Sequence, residues 1–209
     1  MGARFFIARH GETVFNSVRR IQGEAPHTPL TRAGFAQADA MGALLRTLLG
    51  PKPKLALWAS PAGRALQTLA VIAEHLELDW HGTRTDARLR EIDVGGWGGL
   101  YYRDIVAATG AIVDPEAGLF TLRPPGGEYY DDVALRLRGW LDDTADEAGD
   151  RLIVMHGMSS RVLRGLLTGA PVRDGYAAPV ADGIRQGALV EIADGRETIL
   201  DQAEPLDPF

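Results

Sequence analysis

The chain has 209 residues, 45% of them apolar and 24% charged, with 22 Lys+Arg against 28 Asp+Glu for a formal net charge of -6. A chain of that length buries roughly 70% of its unfolded surface, so its core needs no disulfide or metal staple. It contains no cysteine, which excludes a thiol nucleophile and a cysteine-ligated metal, and its acidic balance without any basic run argues against a generic nucleic-acid binder.

The first apolar run, Phe5-Phe6-Ile7-Ala8, has the length of a buried strand and is far too short for a signal-peptide core or a membrane span. A cytoplasmic protein without membrane association is therefore expected. Thr31 then caps a helix carrying Phe35, Ala38, Met41, Leu45 and Leu48. A second run, Leu55 to Ala59, leads to a helix opened by Ser60-Pro61 and carrying Ala65, Leu69, Ile72 and Leu76. Helical patterns follow at about 128–148 and 158–168, with a third apolar run, Leu152 to Met155, between them; 186–192 and 198–200 read as late strands. The three runs lack polar alternation, as central strands covered on both faces do. Strands alternating with helices predict an α/β fold whose mostly parallel central sheet is flanked by helices on both faces.

Residues 110–128 and 170–187 are rich in Pro and Gly and read as lids, substrate walls or plain connections. No repeat or linker divides the chain, so 1–209 is expected to form one domain, with 201–209 as a disordered tail.

Each apolar run stops at residues suited to phosphate chemistry: Arg9-His10-Gly11-Glu12, Ser60-Pro61-Ala62-Gly63-Arg64 and His156-Gly157. Ligands of open α/β sheets bind at the carboxyl ends of the strands, so these segments converge on one pocket. Guanidinium groups and helix N-termini there suit a phosphate dianion. The other histidines, His27, His75 and His81, show no metal-ligand spacing, and no metal or other cofactor is expected. Gly95-Gly96-Trp97-Gly98-Gly99 lacks the Lys-Ser/Thr of a nucleotide loop and reads as a turn near the pocket mouth.

These residues carry a resemblance. Arg9-His10-Gly11-Glu12-Thr13 with Asn16, Gln22-Gly23, Pro29-Leu30-Thr31, Gly34 with Gln37-Ala38, Ser60 through Thr68, Leu89/Glu91, Gly95/Trp97/Gly99, Pro125-Gly126-Gly127-Glu128 and His156-Gly157 follow one another as in the histidine phosphatase superfamily, the phosphoglycerate mutase-like family. The chain resembles its phosphatase-type branch from residue 4 to about 170. The resemblance implies that His10 is a nucleophile that holds the phosphoryl group covalently until water removes it. It implies that Arg9, Arg64 and His156 hold the phosphoryl oxygens, joined by Asn16 and the Gly157 N–H, with Gln22 also on the substrate side. Glu91 matches the proton donor to the leaving alcohol. A glutamic acid must carry its proton to do this, which burial or the adjacent dianion favours and Arg88 and Arg90 oppose; by itself Glu91 also reads as a surface ion-pair partner of one of them, with Asp93 and Glu12 as alternative acids. Glu128 reads equally as a structural group or a substrate contact, and Tyr101, Tyr102, Phe120 and Tyr130 as packing residues.

Departures at Gly98, Tyr129 and His27 bear on specificity and leave the catalytic set intact. The expected activity is hydrolysis of a small phosphomonoester without a metal. A cofactor-dependent phosphoglycerate mutase and a non-catalytic phospholigand-binding protein are the alternatives. The expected partners are a small phosphorylated metabolite and a second copy of the chain as a homodimer.

Overall fold

The computed structural model describes residues 2–200; the tail expected at 201–209 lies outside the described residues. The three apolar runs form β1 (Phe5–Arg9), β2 (Leu55–Ala59) and β4 (Asp150–Met155), and a short β3 (Arg84–Thr85) joins them. The sheet is completed by β7 (Leu189–Ala193) and β8 (Arg196–Ile199) in the order β3-β2-β4-β1-β7-β8. The first four strands in that order run parallel, whereas β7 is antiparallel to β1 and β8 to β7. A separate antiparallel pair, β5 (Val172–Arg173) and β6 (Ala178–Pro179), lies in the Pro- and Gly-rich 170–187 stretch.

Side chains alternate between the two faces of a strand, and here both faces are covered. Phe6, Ala8, Leu57, Ala59, Leu152 and Val154 join the core under α1 (Arg32–Leu49) and α2 (Gly63–Leu76). Ile7, Trp58, Ile153 and Met155 join the core on the other side, with α4 (Tyr130–Asp143) and α5 (Gly157–Leu167). Burying such a side chain contributes about 1.5–3 kcal/mol, which is why these runs carry no polar alternation. The short α3 (Tyr102–Thr109) adds Ile105 to the second core.

The helix boundaries differ from the sequence pattern where side chains have other partners. α1 begins where expected, its Gly34 N–H donating to the Thr31 hydroxyl at 3.0 Å, but Phe35 and Leu48 face solvent and Gly34 and Gly42 are buried in their place. α2 starts at Gly63, after Ala62, because Ser60 turns inward rather than capping the helix. The helix read at 128–148 is confined to Tyr130–Asp143, and the late strands start at Leu189 and Arg196 rather than at 186 and 198. Tyr102, Phe120 and Tyr130 pack in aromatic contacts with Trp97, Tyr129 and Tyr176 or with one another.

Strand register positions the site. Arg9 pairs with Met155 and Ala59 with Val154. The next residues, His10, His156 and Ser60, therefore emerge together at the carboxyl edge, with the His10 N–H donating to the Met155 carbonyl and the Ser60 N–H to that of Val154, each at 3.0 Å. Behind His10 the chain lies against α1. A Cβ on Gly11 would stand 2.2 Å from the Gly34 carbonyl oxygen, and one on Gly34 2.1 Å from that of Glu12, so neither position admits a side chain.

Candidate active site

His10, Arg64 and His156 meet at the carboxyl ends of β1 and β4 and the start of α2, all three essentially inaccessible to solvent. Arg64 Nε stands 3.2 Å from His10 Nε2 and 3.2 Å from His156 Nδ1. A guanidinium nitrogen only donates, so both ring nitrogens accept. His10 Nδ1 then carries the proton and donates it to the Gly11 carbonyl at 2.7 Å. His156 carries its proton on Nε2, which faces Ser60 Oγ at 2.7 Å. The two rings are edge-on, their centroids 5.1 Å apart.

Burial and the Arg64 charge hold both histidines well below their ordinary value, so both rings are neutral. Burial also brings Arg64 down to about 10, which still leaves it charged at neutral pH. Its remaining nitrogens hold the 23–28 loop: Nη1 donates to the Ala25 carbonyl at 2.6 Å and Thr28 Oγ1 at 3.1 Å, and Nη2 to the Gly23 carbonyl at 2.7 Å. Arg9 lies against Gly157, with Nη1 donating to the Ile184 carbonyl at 3.0 Å and a buried Nε that has no partner among the described residues. Arg64 faces only neutral acceptors. A cluster of buried donors of this kind is complementary to an oxyanion.

Glu91 is not the ion-pair partner of Arg88 or Arg90, which bind Asp86 with Asp143 and Glu24. Its carboxylate accepts instead the N–H groups of Ile92 at 2.9 Å, Met158 at 3.2 Å and Ser159 at 2.9 Å, at the first turn of α5 where the helix dipole favours negative charge. The neighbouring Gly157 N–H takes no acceptor among the described residues. Arg136, held by Glu128 at 2.9 Å, donates to the Glu91 carbonyl, which gives Glu128 a structural role. The alternative acids are engaged elsewhere, Glu12 accepting from Thr31 and Asp93 from the Gly95 N–H.

Glu91, Arg64 and His156 border a cleft of about 270 Å³, together with Glu24, Pro26, Ser60, Pro61, Ala62 and Arg90. Of the expected site residues His10, Arg9 and Gly157 lie behind this lining rather than in it, and Asn16 and Gln22 are not brought to its wall either. Gln22 donates to Asn16 Oδ1 at 3.3 Å and accepts from Thr13 and Thr28 hydroxyls, so the pair reaches Arg64 through Thr28. The Gly95–Trp97 turn packs on 125–127 and is not part of that lining. One contributor was not apparent from the sequence: Gln186, placed there in a strand, donates Nε2 to the His10 carbonyl at 2.8 Å and lies 3.3 Å from His10 Nδ1. Among the described residues no group of three or more His, Asp or Glu stands so as to hold a metal ion, and no helix is long and apolar enough to cross a membrane.

The chain is similar to known proteins in sequence and in fold. The probable phosphoglycerate mutase GpmB of Yersinia enterocolitica is 34% identical over 176 residues, 79% of this chain and 75% of that protein. The structure of a mycobacterial glucosyl-3-phosphoglycerate phosphatase complexed with VO3 superposes with a TM-score of 0.77 at 29% identity, covering 95% of this chain and 97% of the other. Bacillus stearothermophilus YhfR superposes at 0.71 with 25% identity, covering 95% of both chains. Residues 5–201 match the family model itself, and the chain belongs to the histidine phosphatase superfamily, branch 1.

Proposed function

We propose that the chain is a phosphatase that hydrolyses a small phosphomonoester through a phosphohistidine on His10, without a metal. The observation that carries this reading is the fixed tautomer of His10: its proton is tied to the Gly11 carbonyl, and the lone pair of Nε2 points to the Arg64 guanidinium. When the phosphoryl oxygens take over the Arg64 guanidinium, that lone pair is freed to attack phosphorus in line and the bond to the leaving oxygen breaks. Glu91, which the adjacent dianion drives to take up a proton against its three N–H donors, gives that proton to the leaving oxygen. Water then attacks phosphorus, the P–Nε2 bond breaks and returns its electron pair to His10, Glu91 takes the water's proton, and inorganic phosphate leaves. Arg9, Arg64, His156 and the Gly157 N–H stabilise the charge on the transferring group, which is the main demand of phosphoryl transfer.

Hydrolysis is favoured over mutase chemistry by the stretch 110–128, which sends no residue to the cleft lining. Its one basic residue, Arg123, is exposed and paired with Asp131 and Asp132, so it offers no uncommitted cation for a second phosphate. The name carried by the curated relatives favours the mutase reading instead. One experiment separates them. In excess chelator the enzyme releases phosphate from monoesters, a brief acid-free quench with labelled substrate traps base-stable phosphate on His10, and His10→Ala lowers turnover at least about a thousandfold. Undiminished turnover in His10→Ala refutes the nucleophile, and bisphosphoglycerate-dependent conversion of 3- to 2-phosphoglycerate faster than phosphate release reverses the choice of reaction.

A further inference from the structure

The cleft beside His156 is bordered by Pro26, Pro61 and Ala62 and by one half-exposed ion pair, Glu24 with Arg90. Arg90 faces Glu24 with two nitrogens, Nε 3.2 Å from Oε1 and Nη1 3.3 Å from Oε2, while the same Nε donates to the Ala87 carbonyl at 2.8 Å. Glu24 is anchored from behind. The carbonyls on either side of it, those of Gly23 and Ala25, are the ones that accept from Arg64. The guanidinium that faces His10 thus also sets the place of the Glu24 carboxylate. Burial pushes the Glu24 carboxyl up against the pull of Arg90, and Asp93 and Glu128 add negative charge nearby, partly offset by Arg136.

This charge pattern restricts what a substrate can carry beyond its phosphate. A carboxylate or a second phosphate needs an uncommitted cation, yet of the two arginines bordering the cleft Arg64 serves the reacting phosphoryl group at His10 and Arg90 is paired with Glu24. Taking Arg90 from Glu24 leaves a partly buried carboxylate next to another anion, a juxtaposition that costs specificity and affinity together. A hydroxyl meets no such penalty. It can donate to Glu24 while the ion pair persists, and carbon-bound hydrogens can lie on Pro26, Pro61 and Ala62.

We infer that the Glu24–Arg90 pair makes the leaving-group end of the cleft select neutral, hydroxyl-bearing phosphomonoesters and reject those that carry a carboxylate or a second phosphate. The inference rests on the phosphatase reading of the same site. Glycerol 3-phosphate and 3-phosphoglycerate test it, because they differ only in a terminal hydroxymethyl group against a carboxylate. The wild-type enzyme is expected to favour glycerol 3-phosphate at least about tenfold in kcat/KM. Glu24→Gln releases Arg90 and should lower that ratio about tenfold, whereas Arg90→Gln should raise it. The ratio is taken within each preparation, so a variant that folds poorly loses both activities alike. Turnover of both substrates with a wild-type ratio near one, or a ratio unmoved by Glu24→Gln, overturns the inference and leaves the phosphatase reading standing. Release of no phosphate from these substrates or from p-nitrophenyl phosphate by the wild-type enzyme overturns both.

Discussion

Arg64 and Arg164 are both buried, at 0% and 1% exposure, and their surroundings are opposite. Arg164, on α5, is neutralised by Glu197, with Nε 2.8 Å from one carboxylate oxygen and Nη2 on the other, and Nη1 donates to the Asp182 carbonyl. Arg64 has three carbonyl or hydroxyl acceptors and two neutral imidazoles, and no carboxylate among its hydrogen-bond partners. A buried cation without a counter-charge is costly to keep. In one region the chain supplies a hydrogen-bonded anion; in the other Glu91 acts on Arg64 only through space, and the arrangement leaves the place of a bonded oxyanion to a ligand.

The strongest way to break this contrast is to remove each charge. Arg64→Met is expected to lower turnover of a phosphomonoester about a thousandfold, the scale seen when a preorganised charge-stabilising donor is lost, with a smaller loss of stability than Arg164→Met. Arg164→Met leaves Glu197 without its cation and should cost about 2–3 kcal/mol in denaturant unfolding while the folded fraction keeps near-normal turnover. Comparable turnover loss in both variants would end the distinction between a structural and a functional buried arginine.

A second test concerns Glu91, the carboxylate nearest this region. Glu91→Gln should slow alkyl phosphates about 10²–10⁴-fold and p-nitrophenyl phosphate far less, because p-nitrophenolate leaves without a proton. Equal slowing of both would assign Glu91 to holding the first turn of α5 alone.

A further expected effect is on stability with pH. His10 and His156 are held neutral in the folded chain well below the ordinary histidine value, whereas the unfolded chain protonates them near 6.5. Below about pH 6.5 the unfolded state therefore binds more protons, and stability falls with acidification by about 1.4 kcal/mol per pH unit from each histidine, remaining flat on their account above that value. Denaturant titrations of the wild type and His156→Gln between pH 7 and 5, without phosphate, measure it; identical slopes would show that His156 is not held neutral.

Much of this was legible in the sequence because it is local. The apolar runs report burial on both faces, and the residues that follow Arg9, Ala59 and Met155 are brought together by strand register alone. What escaped depends on partners far apart in the chain. Ser60 looks like a helix opener until His156, 96 positions away, is found at its hydroxyl. Gln186 continues an apolar strand pattern, and only the fold brings it to the His10 carbonyl, 176 positions distant. The charged neighbours of Glu91 suggested an ion pair, but the start of α5 offers its carboxylate backbone donors that no residue spacing reports.

The back-to-back glycines, Gly11 and Gly34, divide the site into a part that can drift and a part that cannot. With carbonyl oxygens 2.2 and 2.1 Å from where their Cβ atoms would lie, the floor beneath His10 admits no substitution without moving α1. Evolution or directed selection for new substrates on this scaffold is thereby channelled to positions such as 24, 26 and 90, which border the cleft.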